Sequence, residues 1–314
     1  MRREVPLLLV LASILAMPGV HAMTGSARLD TAWLDRSWDF DQPAETEKRF
    51  RHELETLSPG AARLELQTQI ARAQGLQRQF DLAHATLDGV EKTLAGRPPR
   101  VAIRYLLERG RVYNSSLQPE RAMPLFRQAL EKALAAHEDF LAIDAAHMLG
   151  IAAPADERLR WNLEALAMTE HTGDARSKRW LASLYNNIGW TYHERGDYAT
   201  ALEYFERALP AWRSRGGAQE VRAARWAIAR AYRSLGRYDD ALAIQRDLAI
   251  EGDETGTPDG YVDEELGELL LAKGDPAAAR PHFARAFERL GADTGLHESD
   301  PERLARLKRL GGLE

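Results

Sequence analysis

The stretch YNNIGWTYHERGDYATALEYFERALP, Tyr185 to Pro210, holds the clue to the fold. Tyr185, Ile188, Gly189 and Tyr192 stand at i, i+3, i+4 and i+7, the spacing of one apolar helical face. Gly196 follows where a helix closes with a left-handed residue. Asp197 and Tyr198 lead into a second helical pattern, with Ala201, Tyr204, Phe205 and Ala208 on its inner face. The stretch predicts two antiparallel helices joined by a tight turn. It also holds Asn186, Trp190, His193 and Glu194, which this packing pattern does not require.

The same frame recurs. WAIARAYRSLGRYDDALAIQRDLA (Trp226 to Ala249) and EELGELLLAKGDPAAARPHFARAF (Glu264 to Phe287) lie downstream. LERGRVYNSSLQPERAMPLFRQAL (Leu107 to Leu130) and TQIARAQGLQRQFDLAHATLDGV (Thr68 to Val90) lie upstream, with a degenerate copy over Ala145 to Ala167. Equivalent starts fall near Leu64, Ile103, Ile143, Ala182, Arg222 and Gly260. A period of about 40 residues means a solenoid of stacked repeats. Small residues twelve positions apart mark where the paired helices cross: Gly189 and Ala201, Ala71 and Ala83, Gly110 and Ala122, Ala229 and Ala241, Gly267 and Ala279. Only small side chains allow so close an approach. In the copy at Ile143 this pair is not evident and Pro154 shortens the first helix. Phe126, Phe205 and Phe283 are expected to fill the gap towards the next repeat.

This order of Gly/Ala, Tyr, Gly, Ala, Phe/Tyr and Ala resembles the tetratricopeptide repeat (TPR) family over roughly Leu64 to Leu290. The longer period is similar to the long-repeat subclass of kinesin light chains and bacterial peptide-sensing receptors. The resemblance implies an all-α, right-handed superhelical solenoid of antiparallel helix pairs, whose first helices line a concave groove. The repeats are placed at 59–293. Residues 43–58 read as a leading helix stopped by Ser58, Pro59 and Gly60, and 298–314 as a C-terminal capping helix with Asp300 as N-cap and Pro301 first in the helix. The stretch 23–42 is expected to be irregular; its Trp33, Leu34, Trp38 and Phe40 suit it to fold back onto the repeats.

Residues 1–22 read as an export signal: Arg2 and Arg3, an apolar run from Val5 to Met17, then Val20, His21 and Ala22 at a cleavage site. An exported protein, in a bacterial periplasm or secreted, is expected, with no stable membrane span after cleavage. The chain has no cysteine, which excludes disulfides, thiolate metal sites and a lipid-anchored lipoprotein. Its formal net charge of −5 supplies no basic stripe for a phosphate backbone, so nucleic acid is not an expected partner.

Motifs for chemistry are sparse. His193 and Glu194 are adjacent on a helix and point to different sides, and no second His makes a zinc motif. Asp144 and His147 share a face but fall short of a metal site. Asp253 to Glu264 has a calcium-loop outline, yet Pro258 stands where the turn needs Gly. No metal, cofactor or catalytic group is expected. The groove positions that the resemblance implies include Arg111 and Asn114, then Asn186, Trp190, His193 and Glu194, then Trp226, Arg230 and Arg233, and finally Tyr261. Aromatic and Arg side chains on one face suit a peptide hot spot, although Trp190 and Trp226 could equally pack between helices and Arg230 could pair with an acid such as Glu194. The expected function is a non-catalytic scaffold that binds a protein or extended peptide. The alternative is a structural assembly or self-association module of a cell-envelope complex.

Overall fold

A computed structural model of the chain describes residues 29–292, 296–297 and 300–313. All regular structure among these residues is helical. The expected export signal at 1–22 lies outside the described residues. The chain divides into two compact units, one up to Arg97 and one from Pro98 onward.

The first unit holds α1 (Thr31–Ser37), α2 (Pro43–Thr56), α3 (Ala61–Leu76) and α4 (Phe80–Glu91). Part of the stretch expected to be irregular is thus helix α1. Asp30 caps it, its carboxylate accepting from the Ala32 and Trp33 amides at 2.8 and 3.2 Å. The segment does fold back: Leu29 and Leu34 are buried with Phe50 of α2 and with Leu66 and Ile70 of α3. Trp38 meets Phe50 edge-on at 5.2 Å and donates its indole N–H to Gln69 Oε1 at 3.2 Å.

The second unit continues with α5 (Pro99–Ser115), α6 (Pro119–Ala135), α7 (Asp139–Ala152), α8 (Ala155–His171), a 3-10 turn (Ala175–Trp180), α9 (Leu181–Glu194) and α10 (Tyr198–Arg215). Then come α11 (Ala218–Ser234), α12 (Tyr238–Glu254), α13 (Gly260–Ala272), α14 (Pro276–Leu290) and α15 (Pro301–Gly311). Consecutive helices pack antiparallel into an α-solenoid. Inside a repeat the chain turns through one left-handed residue, Gly196, Gly236 or Gly274, at φ of 79°, 75° and 82°. Leu117 takes the same turn at φ 61°, and in the first unit Arg78 does so at 60°. Asp300 caps α15 through the Arg303 amide at 3.1 Å.

The phenylalanines do more than the sequence expectation asked of them. Phe205 is buried with Ala227, Ile228 and Ala231 of α11, and Phe283 with Leu304 and Leu307 of α15, while each of the three rings also lies on the glycine of its own repeat. A Cβ added to Gly110 would sit 2.4 Å from Phe126, one on Gly189 2.6 Å from Phe205, and one on Gly267 2.8 Å from Phe283. All three rings are buried. In two copies with no Phe sixteen residues on, the first helix keeps a methyl group: Ala71 is followed by Leu87 and Ala229 by Gln245. The crossing in the degenerate repeat is also built on a glycine. Gly150 holds the position, and a Cβ there would come within 2.6 Å of the Asn162 amide, twelve residues on.

Candidate functional site

The first helices of the second unit are joined side chain to side chain, roughly one repeat apart in sequence. Arg111 of α5 pairs with Asp144 of α7. His147 of α7 meets Asn187 of α9 at 3.1 Å. Trp190 of α9 lies 5.9 Å, ring to ring, from Trp226 of α11, and Trp226 lies 6.5 Å from Tyr261 of α13. Glu264 of α13 accepts from Arg303 of α15 at 3.0 Å, and Glu268 from Arg306. The second helices meet across repeats through exposed ion pairs, such as Arg207 with Glu170 at 3.3 Å. Groove positions of the sequence frame therefore share the first-helix layer.

Within that layer the aromatic side chains form a row. Trp190 and Trp226 are half-buried and Tyr261 is 36% exposed. Their placement has physical causes: Trp190 rests on Phe205 at 5.0 Å, and the Trp226 indole donates to the Tyr261 carbonyl at 3.2 Å. Arg303 stacks over Tyr261 at 5.0 Å. The row is supported from below and open along part of its face.

Charge lies beside it. Arg233 grips Glu265 with two hydrogen bonds of 2.7 and 2.9 Å, and Arg230 reaches the same carboxylate at 3.2 Å. Two guanidinium groups thus share one acid. Burial, offset in part by Glu265 and reinforced by Arg233, lowers the Arg230 pKa; Arg233, for which burial is outweighed by its bonds to Glu265, is raised. Glu194 is not the partner of Arg230. It pairs instead with Arg158 of α8 at 3.1 Å.

His193 meets Ser234 Oγ at 2.9 Å. Burial, and then the positive charges of Arg230 and Arg233, push its pKa down to about 4. The imidazole is neutral at neutral pH and is a weak base, and no carboxylate pairs with it among the described residues. It is poorly suited to activate Ser234 as a nucleophile.

Other sequence candidates separate. Arg111 is buried, held by Asp144 and by Glu108 at 2.9 Å. Burial alone would lower its pKa, and the two carboxylates reverse that. It serves as an internal tie. Asn114 and Asn186 are half-buried. Asp144 and His147 turn to different partners, Arg111 and Asn187. Asp259 caps α13 through the Tyr261 amide at 2.8 Å, and Glu264 binds Arg303, so the calcium-loop outline corresponds to a helix start. Among the described residues no group of three or more His, Asp or Glu could hold a metal ion. No described helix is long and apolar enough to cross a membrane.

Sequence reasoning missed Arg158, Asn162 and Glu265. With Gly150, Trp190 and Glu194, Arg158 and Asn162 line a pocket of about 200 Å³ between α7, α8 and α9. Arg158 and Asn162 lie on a second helix, which the groove rule does not inspect. Glu265 stands next to Glu264, and only the rotation of α13 decides which arginines each acid meets.

The tetratricopeptide repeat family pattern matches residues 159–214 and 180–248. Residues 159–248 thus carry tetratricopeptide repeats, and the described helices have the α-solenoid fold of solved TPR proteins. No curated protein matches the chain. Among solved structures it is similar to a signal transduction ATPase with numerous domains bearing a tetratricopeptide repeat sensor, from Pyrococcus horikoshii. That likeness has a TM-score of 0.67 at 15% identity and covers 92% of this chain and 45% of the other. It is also similar to a Rap protein complexed with competence and sporulation factor (TM-score 0.52, 17% identity, 90% and 95% covered). A third is NprR in complex with its cognate peptide NprX (TM-score 0.52, 16% identity, 89% and 80% covered).

Proposed function

We propose that the protein is a non-catalytic binding module that takes an extended peptide, or such a segment of a partner protein, along the first-helix layer of its second unit. One observation carries this reading: a row of partly open aromatic rings, Trp190, Trp226 and Tyr261, crosses three successive first helices. An extended strand advances about 3.3 Å per residue, so a short peptide can reach from one first helix to the next. Rigid aromatic rings supply contact area at little entropic cost, and Arg230 beside them offers a guanidinium that shares its acid with Arg233. Similarity of fold to a Rap protein and to NprR, each solved with a bound factor or peptide, supports the same reading. We place the protein outside the cytoplasm on the strength of residues 1–22. Mature protein from the native host then begins at Met23, which N-terminal sequencing reads directly.

The test is selection from a random-peptide library on the full chain, followed by binding measurements on purified variants. Trp226→Ala and Arg230→Ala are each expected to weaken the best peptides by about tenfold or more, the size of a hot-spot loss. Equal affinity for wild type and both variants, with unchanged circular dichroism, places the site elsewhere.

A further inference from the structure

The pocket between α7, α8 and α9 has two features that aromatic packing does not need. Asn162 is fully buried on α8, and its amide Nδ2 donates to the Arg158 carbonyl at 3.0 Å. That bond fixes which way the amide points, because the flipped form would set two oxygens face to face. It leaves Oδ1 as an acceptor, buried and without a partner among the described residues. Arg158 Nε is likewise a buried donor without a partner. The amide is seated against Gly150, where any side chain would collide with it. One repeat alone has lost its small second-helix residue, and there an Asn stands with unmet bonding capacity beside a cavity.

Groups left in this state destabilise the empty protein, so a ligand that satisfies both recovers the loss. It must present a donor to Asn162 and an acceptor to Arg158. Charge narrows the choice. The Arg158 guanidinium is already paired with Glu194 at 3.1 Å, so the pocket is locally neutral and a second ion would be desolvated without a counter-charge. Size narrows it again. At about 200 Å³ the pocket is smaller than the range of about 300–1,000 Å³ usual for free small molecules, yet it exceeds the volume of a few waters. Trp190, the first ring of the aromatic row, forms one wall.

We infer that this pocket is a side-chain subsite for a carboxamide, the end of an Asn or Gln residue in the bound peptide. Its N–H donates to Asn162 Oδ1 and its C=O accepts from Arg158 Nε. The inference rests on the peptide-groove reading and deepens it by naming one residue class of the ligand.

Peptides selected from the random library on the full chain provide the probe. They are expected to share an Asn or Gln, and its replacement by Leu or Glu to weaken binding about tenfold or more. Two variants test the protein side. Asn162→Leu keeps the volume and removes the acceptor. Arg158→Lys keeps the charge opposite Glu194 and removes Nε. Each is expected to cost about tenfold and to abolish the preference for carboxamide over Leu. Thermal melts identify a variant that fails to fold, and the peptide replacements on wild-type protein decide the matter without it. If selected peptides lack a shared Asn or Gln, yet lose affinity with Trp226→Ala, the subsite is overturned and the groove stands. If Asn162→Leu weakens binding while the peptide replacements do not, the pocket holds backbone and the side-chain assignment is overturned. If no peptide is selected, both readings fall.

Discussion

At the scale of single residues, a ring and a missing methyl group define three of the repeats. Phe205 occupies the space where a Gly189 Cβ would stand. Gly189→Ala is therefore expected to cost about 1–3 kcal/mol by overpacking, against less than 1 kcal/mol of helix propensity gained. Adding Phe205→Leu should recover part of that cost, because the chain already uses Ala71 with Leu87 in another copy. Urea unfolding of the single and double variants reads the coupling; additive losses would show that the ring and the glycine are independent. His193 makes a second residue-scale prediction. Its folded pKa of about 4 lies below the unfolded value of about 6.5. Between those values the unfolded chain binds the proton and the folded protein does not, so stability falls as pH drops from about 6.5 towards 4 and levels off below. The half-exposed ring keeps this contribution small. His193→Gln should flatten that part of the stability profile, measured by urea unfolding at a series of pH values.

At the scale of elements, the turn between paired helices needs one left-handed residue. Leu117 meets this requirement with φ 61° and a side chain 88% exposed. Leu117→Gly is expected to stabilise the protein by about 0.5–1 kcal/mol, the left-handed penalty less the entropy that glycine adds to the unfolded chain. A rise in Tm checks it. Helix pairs and turns were legible in the sequence because spacing and glycine encode backbone geometry locally. Helix α1 was not, since its seven residues are too few to show a period. That Phe126, Phe205 and Phe283 would also lie on the glycines of their own repeats was not legible for a related reason. Periodicity says that a residue faces inward, but the rotation of one helix against another decides which neighbour it meets. For the same reason Arg230 could be foreseen to seek an acid, but not that it would share Glu265 with Arg233.

For the whole molecule, a solenoid is held by contacts between neighbours, so its ends matter. Helix α15 buries Leu304 and Leu307 with Phe283, Ala286 and Leu290 of α14, and lays Arg303 and Arg306 on the acids of α13. Ending the chain before Asp300 should cost roughly 3–6 kcal/mol, from two buried leucines at about 1.5–3 kcal/mol each. Amide hydrogen exchange should accelerate in α13 and α14 and stay unchanged in α5 and α6. Uniform acceleration would mean that the second unit unfolds as one block. The fold was readable from one dimension because each repeat meets the same local demands for apolar period, turn residue and close crossing. Candidate groove residues were readable as those the packing pattern leaves over. Only tertiary structure decided which of them are available. It tied Arg111 into a buried ion cluster, gave Glu194 to Arg158, aligned Trp190, Trp226 and Tyr261 in a row, and left Asn162 Oδ1 and Arg158 Nε beside a pocket without a partner among the described residues. Those outcomes depend on which side chains from different repeats come within a few ångströms of one another, and a repeat period does not carry that information.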